Sequence, residues 1–150
     1  MDYNNRLSEL RSNFDLTQED IAHISNISRS TYKDYERQIS IIPIKHLVSL
    51  SEYFDVSVDY LLGFTNLKQY NNVKKVDKLE AGKRLKEFRK EHKLTQVKLA
   101  SILNTTFSSI AFNEKGRNLI ATPFLYTICL KYHVSADYLL AKTSDIKYLS

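Results

Sequence analysis

The chain has 150 residues, 43% of them apolar, and 22 Lys or Arg against 17 Asp or Glu for a net charge of +5. That is enough apolar material for one core or two small ones, and the basic balance fits a polyanionic partner without demanding one. Three Gly and two Pro point to a mainly helical chain, the single Cys129 excludes an internal disulfide, and no apolar run reaches the length of a membrane span or a signal peptide. The expected location is therefore the cytosol, with no membrane contact.

In chain order, the spacing predicts a first helix over about 4–13 with Leu7, Leu10 and Phe14 on one face. The next stretch, Leu16 to Arg37, organises the rest. Thr17 is an N-cap with Asp20 three residues on, and Ile21 and Ile24 give a helix over 18–24 an apolar face. The pattern stops at Ser25 and Asn26, and Asn enters the left-handed region cheaply, so a sharp turn fits there. Ser28 then caps a helix over 29–37, in which Tyr32 and Tyr35 point one way and Arg29, Ser30, Lys33, Asp34 and Arg37 form a polar stripe. This is a helix-turn-helix pattern. A fourth helix over 44–53 is expected to start at Pro43 and bury Leu47, Leu50 and Phe54, and a fifth over 58–62 to run from the Ser57 cap to Gly63.

Sliding the sequence by 78 positions aligns Arg6–Thr65 with Arg84–Thr143 without a gap, with 21 of 60 positions identical. Each repeat is a complete structural unit, which sets the expected domains at 1–66 and 82–150. Between them lies a polar, Lys-rich linker over 67–81, able to stretch to about 45 Å or to lengthen the next helix. The two halves differ in charge. Met1–Asn66 holds six Lys or Arg against ten Asp or Glu, whereas Leu67–Ser150 holds sixteen against seven. On DNA, the second half would supply most of the phosphate attraction.

The residues LTQEDIA at 16–22, S-R-S-T at 28–31 and VSVDYLLG at 56–63, in that order and found in two related copies, make each unit resemble the DNA-binding domain of the phage repressor and Cro family, the xenobiotic-response-element type. The resemblance implies an all-α fold of two five-helix, lambda-repressor-like helix-turn-helix domains in tandem. It also implies a transcriptional regulator, expected to be a repressor, with double-stranded DNA as partner.

Residue by residue, the resemblance places Gln18 and Gln96 on DNA phosphates, joined by Thr31, Arg37 and Lys98. It ties Arg11 to Glu36 and Arg89 to Glu114 as structural ion pairs. The third helix would enter the major groove, with Arg29 on guanine, Asp34 accepting from cytosine N4, and Ser30 and Lys33 beside them. The second copy departs from this pattern: its stripe reads Phe107, Ser108, Ala111, Phe112 and Lys115. Phe107, Ala111 and Phe112 make an apolar patch for which a protein contact, such as a homodimer through the second domain, is the simpler use. Asn26 and Asn104 stand where the family has Gly. Gln38 stands where Gly116 ends the third helix of the second copy, so that end is expected to differ in shape.

The four histidines have no metal-ligand spacing, Cys129 sits in an apolar helical stretch, and no glycine-rich phosphate loop is present. No enzyme, cofactor or metal is expected, and no residue calls for a small-molecule effector. The rival class is a protein-interaction or antitoxin-like module in which the second domain binds a partner.

Overall fold

Six of the helix starts described are set by hydroxyl caps. Thr17, Ser28 and Ser57, and their repeat equivalents Thr95, Thr106 and Ser135, each accept the backbone N–H of the third residue on. Each such cap satisfies one orphan donor and is worth about 1 kcal/mol. At Thr17 the bond is reciprocal, because Asp20 Oδ2 accepts the Thr17 N–H at 2.8 Å.

The resulting elements are α1 (Tyr3–Asn13), α2 (Gln18–Ile24), α3 (Arg29–Glu36), α4 (Ile44–Tyr53) and α5 (Val58–Leu61), followed by α6 (Lys78–Glu91), α7 (Gln96–Leu103), α8 (Phe107–Glu114), α9 (Thr122–Tyr132) and α10 (Ala136–Leu139). The computed structural model describes residues 3–150, with side chains from Arg6 onward. Met1 and Asp2, with which the first expected domain begins, lie outside the described residues. The chain divides into two compact units, one ending at Gln69 and the other beginning at Tyr70. Among the described residues β pairing is confined to one isolated antiparallel bridge, Val134 to Tyr148, and no helix is long and apolar enough to cross a membrane.

In the first unit Leu7, Leu10, Ile21, Tyr32, Leu47, Leu50, Phe54 and Leu61 form the core; in the second, Leu85, Phe88, Leu99, Ile110, Leu125, Ile128, Cys129 and Leu139 do so. Two expectations are corrected here. Phe14 is 48% exposed, lying edge-on against Phe54 at the rim rather than inside. Pro43 is the N-cap of α4, and the helix itself starts at Ile44.

The end of α3 is a third correction. Gln38 takes a left-handed φ of 57°, and Gly116 in the second unit a φ of 75°, so the two ends share one shape despite the missing glycine. A β-carbon in that region carries strain. Gln38→Gly is expected to stabilise the first unit by about 0.5–1 kcal/mol, read as a rise in its thermal midpoint. An unchanged or lower midpoint would mean that the bonds Gln38 makes outweigh its backbone strain.

The stretch expected as a free linker is held from both sides. Leu67 O accepts from Ser57 Oγ at 3.1 Å, Lys68 O accepts the Ser57 N–H, and Gln69 Nε2 donates to Asp55 Oδ2 at 2.8 Å, all within the first unit. In the second unit Asn71 O accepts from Thr143 Oγ1 at 3.0 Å, Asn72 Nδ2 donates to Asp145 at 2.9 Å, and the Lys74 N–H donates to Lys142 O at 2.7 Å. Asp77 then caps α6 through bonds to Leu79 N and Glu80 N, so the helix starts within the expected linker.

Candidate nucleic-acid interface

The two central helices of each unit are joined by a turn through a left-handed asparagine. Asn26 has φ 55° and Asn104 φ 57°, and the chain re-enters the helix direction when Ile27 N donates to Ala22 O and Thr105 N to Ala100 O. On α3, Tyr32 is fully buried and Tyr35 nearly so. Arg29 and Ser30 are exposed, and Lys33 and Asp34 half-buried, on the opposite side. The i, i+1, i+4, i+5 spacing thus brings these four side chains onto one outward stripe. Arg37 is exposed at the C-cap of the same helix.

A three-residue polar network fixes how that stripe is presented. Arg11 on α1 donates from Nε to Glu36 Oε1 at 2.7 Å and from its terminal nitrogens to Glu36 Oε2 at 3.4 Å and to Leu16 O at 3.0 Å. Gln18, the first residue of α2, donates from Nε2 to the same Oε2 at 2.9 Å. Glu36, the last residue of α3, therefore joins all three helices. The second unit repeats the arrangement: Arg89 bonds Glu114 at 2.6 and 3.0 Å and Leu94 O at 2.8 Å, and Gln96 reaches Glu114 Oε1 at 3.2 Å. The glutamine arm is a feature the sequence reading missed, although Gln18 to Glu36 and Gln96 to Glu114 share one separation. Each carboxamide has a second N–H, so the arm to Glu leaves a donor on the same side chain.

Burial by itself raises the pKa of Glu36, but the bonds from Arg11 and Gln18 outweigh it and hold the carboxyl below its ordinary range. The Arg11 guanidinium is raised, chiefly by its bond to Glu36. Tyr32 lies beside this pair with its hydroxyl buried, and burial first, then the neighbouring Glu36 carboxylate, pushes its pKa up. In the unfolded chain Glu36 titrates near pH 4.3. Because its folded value is lower, the pair stabilises the first unit above that pH, and the contribution is lost as pH falls through the folded value. Acid unfolding of the first unit should accordingly shift to higher pH in Arg11→Met, measured by circular dichroism from pH 6 to 2. An unchanged acid transition would remove Glu36 as its origin.

The remaining predicted residues are placed as follows. Thr31 shares the α3 cap: its N–H donates to Ser28 Oγ at 3.1 Å, and its own hydroxyl lies 2.8 Å from that oxygen. Arg29 and Gln18 line one open depression together with Arg11, Leu16, Thr17 and Glu19. Lys98 is exposed near the start of α7, where the first unit has Asp20. On α8, Phe107 is 56% and Phe112 40% exposed, with Ala111 half-buried between them and the Arg117 guanidinium 5.0 Å from the Phe112 ring centre.

The sequence of each unit matches a known family. A family profile described as helix-turn-helix matches residues 7–61, and a second, described as helix-turn-helix domain, matches residues 82–144. The chain is a tandem pair of helix-turn-helix domains. Among the described residues its fold is all-α, with five helices in each domain. The first turn lies between α2 and α3, the second between α7 and α8.

The chain is similar to YobD, an uncharacterized HTH-type transcriptional regulator of Bacillus subtilis (strain 168), with 42% identity over 64 residues, 43% of this chain and 57% of that protein. It is also similar to the antitoxin PezA of Streptococcus pneumoniae serotype 4, with 37% identity over 54 residues, 36% of this chain and 34% of that one. The chain thus matches about half of one relative and a third of the other. No significant match to a solved structure was found.

Proposed function

We propose that this tandem helix-turn-helix chain is a cytoplasmic, sequence-specific regulator of transcription that binds double-stranded DNA with α3 of the first domain in the major groove. The observation that carries the reading is the two-sided α3. Its tyrosines anchor it to the core, Glu36 ties its end to α1 and α2, and Arg29, Ser30, Lys33 and Asp34 face outward. Arg29 is suited to guanine O6 and N7, Asp34 to cytosine N4, and Ser30 and Lys33 to neighbouring base edges. Gln18 through its second amide hydrogen, Thr31 and Arg37 would hold the adjoining phosphates in the first domain, and Gln96 and Lys98 in the second. No catalytic step and no cofactor belong to this function. A domain seated on its operator excludes other proteins without any further surface, which favours repression.

The test is selection of bound sequences from random duplex DNA by the intact chain and by Arg29→Ala. An enriched motif is expected, with Arg29→Ala losing about 5- to 100-fold in affinity for it and relaxing one base position. If the variant selects the same motif at the same affinity, α3 of the first domain is not the reader.

A second reading has its own observation. Phe107, Ala111 and Phe112 present an apolar patch on α8, and one relative is an antitoxin, so the second domain would instead hold a second copy of the chain or another protein. Salt separates the two. DNA binding through six or more phosphates weakens by about 10³–10⁵ between 50 and 200 mM salt, whereas apolar contact hardly changes.

A further inference from the structure

The stretch of chain that carries the apolar patch on α8 exposes charge of one sign. Between Thr95 and Asn118 the only carboxylate is Glu114, which is buried and bonded to Arg89. Lys98, Lys115 and Arg117 in the same stretch are all exposed. The matching stretch of the first domain carries Glu19, Asp20 and Asp34 besides Glu36, so its cations are offset. This stretch of the second domain therefore carries no exposed carboxylate, while Lys98 stands where the first domain has Asp20, Lys115 where it has Arg37 and Arg117 where it has Ile39, and the Arg117 guanidinium lies 5.0 Å from the Phe112 ring centre.

That combination selects the occupant. A self-complementary dimer through this face would set Lys98, Lys115 and Arg117 of one copy against the same three of the other, and like charges so placed repel. The patch calls instead for a polyanion with an apolar centre. Duplex DNA offers both, in two phosphate rows and in the C5-methyl groups that thymine projects into the major groove between them. Ala111 stands where the first domain has Lys33, so no long side chain rises from that position of the helix.

We infer that the second domain is a DNA reader of different chemistry from the first, contacting thymine methyl groups with Phe107 and Phe112 while Lys98, Lys115 and Arg117 hold the flanking phosphates. The inference rests on the DNA-binding function proposed above and adds its second specificity. The composite site then pairs a polar half, read by Arg29 and Asp34, with an A·T-rich half.

The test uses the intact chain and the double variant Phe107→Ala, Phe112→Ala, whose changes lie at exposed positions and whose folding is checked by circular dichroism. Sequences selected by the intact chain are remade with deoxyuridine for thymidine in the A·T-rich half, which removes only the methyl groups. The intact chain is expected to lose about tenfold in affinity on that replacement. The double variant should bind the thymine site as the intact chain binds the uracil site, and should not distinguish the two. Lys98→Gln with Lys115→Gln should lower the slope of log affinity against log salt by about 1.8.

A selected motif with no A·T-rich half, or equal affinity for thymine and uracil sites, overturns the inference and leaves the first domain's reading intact. Unchanged DNA affinity in the double variant together with a lower sedimented mass, or loss of an acidic protein partner, overturns it in favour of protein contact. Absence of any selected motif removes both readings.

Discussion

Glu114→Ala is expected to cost the second domain about 3–5 kcal/mol and to bring its thermal transition far below that of the first domain, which should melt unchanged. The size follows from what the carboxylate holds. Its side chain is 3% exposed, and that of Arg89 only 11%. Removing Glu114 leaves a guanidinium mostly out of water with Leu94 O as its remaining partner, and leaves the Gln96 amide unpaired as well. The loss is the penalty of an uncompensated charge rather than the worth of the pair. A domain of this size is stable by on the order of 4–12 kcal/mol, so the variant sits near its threshold. Replacing both partners, as Arg89→Met with Glu114→Leu, should restore much of the loss, because the stranded charge is gone. Denaturant titration that resolves the two domains measures both effects. A shift below about 1 kcal/mol in Glu114→Ala would mean that water reaches the pair as it reaches a surface bridge.

Much of this frame was readable from the residues because each local signal agreed with the next. The hydroxyl caps at Thr17, Ser28 and Ser57 and their repeats marked helix starts, and the alternation of tyrosine and polar residues on α3 told which face turns inward. Where signals were weak, the physical reason is specific. Gln38, Lys93 and Ala141 are left-handed although their residue types seldom are, and Asp15, Asp55 and His133 are of types only enriched there, which marks the conformation less firmly than glycine does. The anchoring of the linker leaves no mark in the sequence because Asn71, Lys68 and Lys74 are held through backbone groups, which every residue carries. Family likeness points to Gln18 as a phosphate ligand, whereas its bond to Glu36 depends on a fold that brings residues 18 positions apart together. Phe14 followed the apolar period of α1 but falls past its end, where the core has already closed.

Gly82→Ala is expected to destabilise the second domain by about 1–3 kcal/mol, against the sign that helix propensity gives. Gly82 lies inside α6, where exchange of glycine for alanine ordinarily stabilises by about 1 kcal/mol. Here a β-carbon would stand 2.6 Å from the carbonyl oxygens of both Asn113 and Glu114 and 2.9 Å from the Glu114 carbonyl carbon. These are backbone atoms at the end of α8, so no side-chain rotation relieves the overlap, and one helix must move from the other. The displacement acts on the same contact that Arg89 and Glu114 close, since Arg89 lies on α6 and Glu114 ends α8. Gly82→Ala should therefore also lengthen that ion pair, and its cost should be less than additive with Glu114→Ala. The measurement is the second-domain transition in each single variant and in the double. Stabilisation by about 1 kcal/mol in Gly82→Ala would show that α6 can lift away freely, and that the ion pair alone, not the close backbone approach, sets the position of α8.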